Sequence, residues 1–366
     1  MNKIRYAVVG LGHIAQAAVL PAFAHARRNS ELTAFVSGDP EKLDKLAREY
    51  GVRHSFGYDE YEACLAGGLV DAVYIALPNS RHREFAQRAL EAGVHVLCEK
   101  PLTTTAKDAE ALVAASERGG ARLMTAYRLH FERANLEAAR LAHSGELGEP
   151  RFFSSSFALQ LQEGNIRSDR ELGGGPLFDL GIYCINAARY LFREEPYEVF
   201  AWSSSGKDRR FAEVEEMTSA ILRFGDGKLA QFTCSFGAAP LGWYQLACTK
   251  GSLRLENAYE YAEGSELEVA LESGKTRRRS FPVRDQFAPE LLYFSDCVLK
   301  DRRPEPDGRE GLIDVRIIEA LRESARTGRP MRTALGRRHR RPTLRQEHHR
   351  PKPGKAPLVG VHASSR

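Results

Sequence analysis

Short apolar runs alternate with helical patterns over roughly the first third of the chain. Residues 4–9, 32–36, 72–75, 93–98 and 123–126 are apolar or β-branched runs of strand length. Between them lie helical patterns at about 14–26, 40–50, 80–92 and 106–118. Pro40 suits a first helical turn, Ser80 is placed to cap the third of these helices, and Gly93 ends it. Strand–helix alternation of this kind means βαβ units and a parallel sheet covered on both faces. The pattern changes near Gly148-Glu149-Pro150. Alternating runs follow at 151–157, 198–203, 218–224, 228–236 and 244–249, with Gly225-Asp226-Gly227 as a hairpin-type turn. Helices are expected near 177–192, 289–299 and 311–326, which makes the second half α+β.

The chain has 366 residues with 43% hydrophobic content, enough for two domains. No apolar run is long enough to span a membrane, and no secretory leader pattern opens the chain. Cys64, Cys98, Cys184, Cys234, Cys248 and Cys297 include no Cys-x-x-Cys pair, so reduced thiols and a cytoplasmic location are expected, with no metal site. The net charge of +5 is unevenly spread: residues 337–366 carry nine Lys/Arg and one Glu, so residues 1–336 are net −3. The basic character therefore belongs to a tail, expected to be disordered. No aromatic-interleaved basic surface accompanies it, so neither nucleic acid nor membrane is expected as a partner.

Three stretches carry the chemistry. Gly10-Leu11-Gly12-His13-Ile14-Ala15 follows the first strand and opens a helix. Gly10 permits a tight turn, Gly12 admits a pyrophosphate to backbone N–H groups, and Ala15 permits close helix–strand packing. Glu99-Lys100-Pro101 closes a buried strand, where α/β sheets bind ligands. Asp179 and Tyr183 lie four residues apart on the helix that starts after Gly173-Gly174-Gly175. The second strand ends at Ser37-Gly38 instead of the acid that holds an NAD ribose, and Lys42 follows on the next helix, so NADP is expected. Asp39 is either a displaced ribose-binding acid or a helix cap beside Pro40, and the capping reading is preferred.

Together these stretches resemble the glucose-fructose oxidoreductase / inositol dehydrogenase / rhizopine catabolism (Gfo/Idh/MocA) family, over about residues 3–333. Tyr183, where many members carry histidine, resembles the glucose-fructose oxidoreductase branch. So do Leu77-Pro78-Asn79-Ser80-x-His82, Tyr127-Arg128-x-His130, Arg170-Glu171-Leu172-x-Gly174-Gly175 and Val214-Glu215. The resemblance implies a Rossmann-type α/β nucleotide-binding domain over 1–128. It also implies an α+β domain with a large, mostly antiparallel open sheet over 129–336, whose face mediates dimers or tetramers. It implies an NADP-dependent sugar oxidoreductase with Lys100, Asp179 and Tyr183 as catalytic residues. The cofactor set is Gly10, Leu11, Gly12, His13, Ile14, Ser37, Gly38, Lys42, Leu77, Pro78, Asn79, His82, Glu99, Lys100 and Arg128. Tyr127, Arg167 and Arg170 join the catalytic residues in lining the substrate. His82 and His130 also admit a structural role. A free phenol ionises near pH 10, and a lysine ammonium nearby favours the phenolate and can donate to the reacting oxygen. An inositol or anhydro-sugar dehydrogenase with an exchangeable cofactor, and a non-catalytic NADP or sugar sensor, are the alternatives.

Overall fold

Six strands form a parallel sheet: β1 (Ile4–Val9), β2 (Ser30–Val36), β3 (His54–Phe56), β4 (Ala72–Ile75), β5 (His95–Glu99) and β6 (Leu123–Ala126). Their order is β3-β2-β1-β4-β5-β6, and every pair is parallel. All four residues of β4 are buried, as are four consecutive residues at the end of β1. Each buried valine or isoleucine there contributes about 1.5–3 kcal/mol. The order in which strands are added to the sheet reverses between β1 and β4, and the crevice at such a switch point is where α/β sheets take ligands.

The computed structural model describes residues 2–336, 341–354 and 356–361. The described chain divides into two units. The first contains the parallel sheet, residues 2–128, together with 284–312 and 348–361. The second contains 129–283 and 313–347. This differs from the two continuous halves expected from the sequence. The helix Phe287–Leu299 belongs to the first unit because its polar side binds the strands there. Ser295 Oγ hydrogen-bonds the Tyr6 hydroxyl at 2.7 Å and Ser30 Oγ at 2.8 Å, and Asn29 Nδ2 donates to the Leu292 carbonyl at 2.9 Å.

The second unit is built on a nine-stranded sheet. Its strands are β7 (Pro150–Gln160), β8 (Glu198–Ser204), β9 (Met217–Arg223), β10 (Leu229–Ser235), β11 (Gly237–Cys248), β12 (Gly251–Glu256), β13 (Ser265–Leu271), β14 (Thr276–Phe281) and β15 (Met331–Arg332). The order is β14-β13-β12-β11-β7-β10-β9-β8-β15. Only β7 and β10 pair in parallel. The helix Ile182–Phe192 is buried along its whole length. No helix among the described residues is long and apolar enough to cross a membrane.

The stretch beyond residue 336 departs from the disordered tail expected. Arg341 is only 9% exposed and pairs with Glu195 at 2.5 Å. Glu195 also binds Arg189, whose guanidinium pairs with Asp314 at 2.6 Å, both fully buried. Breaking a buried pair of this kind costs about 3–5 kcal/mol, and Glu347 adds a second tie, to Arg133 at 2.7 Å. Residues 337–340, 355 and 362–366 lie outside the described residues.

Candidate active site

The glycine turn sits at the carboxyl end of β1. Gly10 has φ +91, and a Cβ there would stand 2.6 Å from the Ala76 carbonyl oxygen and 2.9 Å from Leu77 Cδ2. Only glycine allows that backbone angle and that approach, and the contact brings Leu77, at the end of β4, against the turn. A Cβ on Gly12 would meet nothing within 4 Å, so that side of the turn is an open cradle. The helix that follows opens with a π turn, Ala15–Val19, and Ala15 is fully buried. These features fit a dinucleotide: a positive-φ turn, open space above the second glycine, and helix N–H groups at a switch point.

At the end of β2, Ser37 is 4% exposed, and its Oγ accepts from the Asp39 backbone N–H at 3.2 Å. Asp39 caps the helix Pro40–Tyr50: its Oδ1 accepts from Lys42 N–H at 3.1 Å, and its Oδ2 pairs with Lys42 Nζ at 3.2 Å. The backbone hydrogen bond from Lys42 holds the Asp39 carboxyl below its ordinary range. A Cβ on Gly38 would lie 2.9 Å from the Tyr58 ring, so the glycine lets that ring close over the strand end. Asp39 is thus the cap, and Ser37 with Lys42 occupies the end of β2.

Glu99, Lys100 and Pro101 leave the end of β5. Glu99 Oε1 accepts from the Tyr74 hydroxyl at 2.8 Å and Oε2 from the Lys100 backbone N–H at 3.3 Å. Burial pushes the Glu99 carboxyl up, against the opposing pull of Lys100, Tyr74 and Arg128. His82 is fully buried, with Nδ1 at 2.8 Å from the Pro101 carbonyl and Nε2 at 2.9 Å from the Leu77 carbonyl. Burial lowers its pKa, against the opposing pull of the two carbonyls. Both ring nitrogens face protein carbonyls, so His82 ties the end of β4 to the end of β5. This is the structural role that the sequence also admits for His82. Ser80 does not cap a helix: a short 3₁₀ turn, Asn79–Arg81, precedes the helix His82–Glu91.

Arg128 and the helix Phe287–Leu299 complete this side. Arg128 Nη1 donates to the Gln286 side-chain oxygen, and Tyr127 is 2% exposed. Gln286 and Glu290 were not legible as site residues. Glu290 is fully buried, and among the described residues neither of its carboxyl oxygens has a hydrogen-bond partner. Burial first, then the neighbouring Glu99, push its pKa well up. The one available signal was a glutamate inside an otherwise apolar helix pattern.

In the second unit, Asp179 lies in a π turn, Leu177–Gly181, that runs into the helix Ile182–Phe192 carrying Tyr183. Single π turns inside α-helices recur at functional sites. Arg167 Nε pairs with Asp179 Oδ2 at 2.6 Å. The glycines explain how Arg167 gets there. Gly174 N–H donates to the Asp169 carbonyl at 2.8 Å and Gly175 N–H to the Arg167 carbonyl at 3.0 Å. A Cβ on Gly174 would collide with both of those carbonyl oxygens, and Gly175 has φ +120. The 165–170 loop is therefore folded down on the start of the helix. Tyr183 is 9% exposed, edge-on to Phe157 at 5.7 Å and tilted against Tyr259 at 6.0 Å. Arg170 is held on the Glu213 carbonyl at 2.7 Å. His130 bonds Asn186 at 2.7 Å, a structural role.

Residues 4–127 match the family described as an oxidoreductase family with an NAD-binding Rossmann fold, and residues 135–254 match the GFO/IDH/MocA C-terminal domain. A D-xylose 1-dehydrogenase [NADP(+)] of Haloarcula marismortui is 33% identical over 334 residues, 89% of this chain and 92% of the relative. The crystal structure of an aldose-aldose oxidoreductase from Caulobacter crescentus, complexed with glycerol, is 37% identical with a TM-score of 0.86. It covers 90% of this chain and 100% of that one. A 3-ketoreductase from Actinomadura kijaniata, solved with NADP and TDP-benzene, is 30% identical with a TM-score of 0.80, covering 88% and 98%. With both halves matched and such relatives spanning nearly their full length, the chain belongs to the Gfo/Idh/MocA family of oxidoreductases.

Proposed function

We propose that this protein is an NADP-dependent sugar oxidoreductase that moves a hydride reversibly between a sugar carbon and the nicotinamide. One observation carries the reading. The glycine turn, Leu77, Ser37 and Glu99-Lys100 all sit at the carboxyl edge of one parallel sheet, around its switch point. Relatives named for xylose, aldose and 3-keto sugar chemistry, two of them with NADP in their descriptions, support it. Gly10 to Ile14, Ser37, Gly38, Lys42, Leu77, Pro78, Asn79, Glu99 and Arg128 would hold the cofactor. When bound, it supplies or takes the hydride, and the chain's own residues handle the proton and the substrate. The Tyr183 hydroxyl takes the proton from a substrate hydroxyl, or returns it to a carbonyl. The Lys100 ammonium donates a hydrogen bond to the reacting oxygen. Asp179, its rotamer fixed by Arg167, accepts from a neighbouring sugar hydroxyl, with Tyr127 and Arg170 as further lining. A sensor that only binds NADP or sugar would have no use for all three of Lys100, Asp179 and Tyr183.

Replacing Ser37 tests the cofactor choice. Ser37→Asp puts a carboxylate where a 2′-phosphate is expected, so NADPH affinity should fall at least about tenfold while NADH affinity holds or rises. Titrating both nucleotides into stripped protein, with a thermal midpoint to confirm folding, checks it. Unchanged NADPH affinity in a folded variant, or tighter NADH than NADPH binding in the parent, contradicts the assignment.

The nine-stranded sheet supports a homo-oligomer. Phe152, Trp202, Ile221, Leu229 and Leu241 are each more than 40% exposed, and strand register puts all five on one face. An exposed apolar sheet face of this kind marks an interaction surface, and the occupant proposed is a second copy of the chain. Sedimentation should give a dimer or tetramer for the parent and a smaller species for Trp202→Arg with Ile221→Arg. A monomeric parent sinks this proposal. The six cysteines are unbridged thiols, which supports a reducing, cytoplasmic setting.

A further inference from the structure

The chain beyond residue 347 returns to the first unit and runs to the glycine turn. Arg350 Nε donates to the His25 carbonyl at 2.9 Å, and Pro351 forms an isolated bridge with Arg284. Farther along, Val359 is held at both of its backbone groups by one side chain. Val359 N–H donates to Gln16 Oε1 at 2.7 Å, and Gln16 Nε2 donates to the Val359 carbonyl at 3.0 Å. The same Nε2 also donates to the carbonyl of Leu11, inside the glycine turn, at 2.8 Å. Gln16 is fully buried. The next residue, Gly360, has φ +58, and a Cβ there would stand 3.2 Å from Lys42 Cε and 3.9 Å from Nζ.

We propose that residues 357–361 form a strap over the dinucleotide site, so that cofactor enters and leaves only when the Gln16 clamp on Val359 opens. The proposal rests on the NADP reading of that site. The segment touches both ends of the nucleotide's expected footprint, the glycine turn through Gln16 and the end of β2 through Lys42. It lies beside the phosphate contacts, not on them. Gln16 is past the N–H groups of residues 12–14, and a Cβ on Gly12 would still meet nothing within 4 Å. Lys42 presents its aliphatic Cε to the side of Gly360 where a Cβ would sit, with Nζ farther off. Residues 356–361 carry no charge, so the segment does not imitate a phosphate. An uncharged strap fastened by two neutral hydrogen bonds is strong enough to slow exchange and weak enough to open.

Stopped-flow measurement of NADPH binding and release tests the strap on the full chain, a form lacking residues 356–366, and Val359→Pro. The truncation keeps Arg341 and its buried ion cluster, and the proline removes the Val359 donor and sets its ring against Gln16 Oε1. Both changes should speed association and dissociation alike by about tenfold while the equilibrium Kd moves by less than about threefold. The thermal midpoint should stay within about two degrees. Rates within about twofold of the full chain in the truncated form overturn the strap. So does a faster association with unchanged dissociation, which would mean that the segment fills the nucleotide's place. Faster exchange on truncation but not in Val359→Pro overturns the Gln16 clamp as the fastening. No NADPH binding by either the full or the truncated chain refutes the cofactor reading, and the strap with it.

Discussion

Tyr183→Phe should keep NADPH affinity and lose turnover by about 10²- to 10⁴-fold, the range general acid–base catalysis supplies. The substitution removes one hydroxyl from a side chain that is 9% exposed and packed on Phe157 and Tyr259. The ring and its edge-on contact survive, so the fold has no reason to change. Loss of a proton-transfer group depresses kcat and kcat/KM together, because it acts in the transition state and not in substrate binding. A variant with near-parental kcat would remove Tyr183 from the chemistry. A variant whose KM rises at constant kcat would make it a substrate contact only.

Lys100→Met should cost about 10³-fold or more in kcat and leave the thermal midpoint within about three degrees. The lysine side chain leaves the sheet at the end of β5, while the backbone around it is fixed by other groups. Glu99 accepts from the Tyr74 hydroxyl, and His82 holds the Pro101 carbonyl. Methionine keeps the length and apolar stem of lysine and deletes only the ammonium. That charge is one of the influences holding Glu99 down, so its loss lets the Glu99 carboxyl rise further. A large fall in midpoint with activity retained per folded molecule would make Lys100 structural.

The chemistry-bearing stretches were legible because each is local. A glycine turn, a strand exit and a helix start announce themselves within a few residues, and the parallel order then sets the first two around one switch point. The placement of 284–312 was not legible. An apolar helix reads the same whichever core it serves, and its allegiance rests on Ser295, Asn29 and Tyr6, which meet across more than 260 residues of sequence. β14 was missed because Arg277 to Arg279 leave no apolar alternation, whereas β12 and β13 do alternate, with Leu253, Leu255, Leu267 and Val269 inward, but in short runs rich in Arg254, Glu266 and Glu268 that look like loop. The tail failed for the opposite reason. Composition correctly reports that it buries little apolar surface, but Arg341 and Val359 are held by polar partners, Glu195 and Gln16, that composition does not count. His82 was placed with the cofactor from a motif and also given a structural role, and its two carbonyl neighbours, Leu77 and Pro101, fit the second.

The central claim is reversible hydride exchange between a sugar and NADP. The most direct measurement is the absorbance band of reduced nicotinamide in the purified full-length chain, followed while aldoses, ketoses and inositols are added in turn. The account predicts that the band grows with at least one aldose, falls again when a carbonyl sugar is supplied, and stays flat in Tyr183→Phe. Tight NADP(H) binding with no change in the band for any sugar or inositol would contradict it.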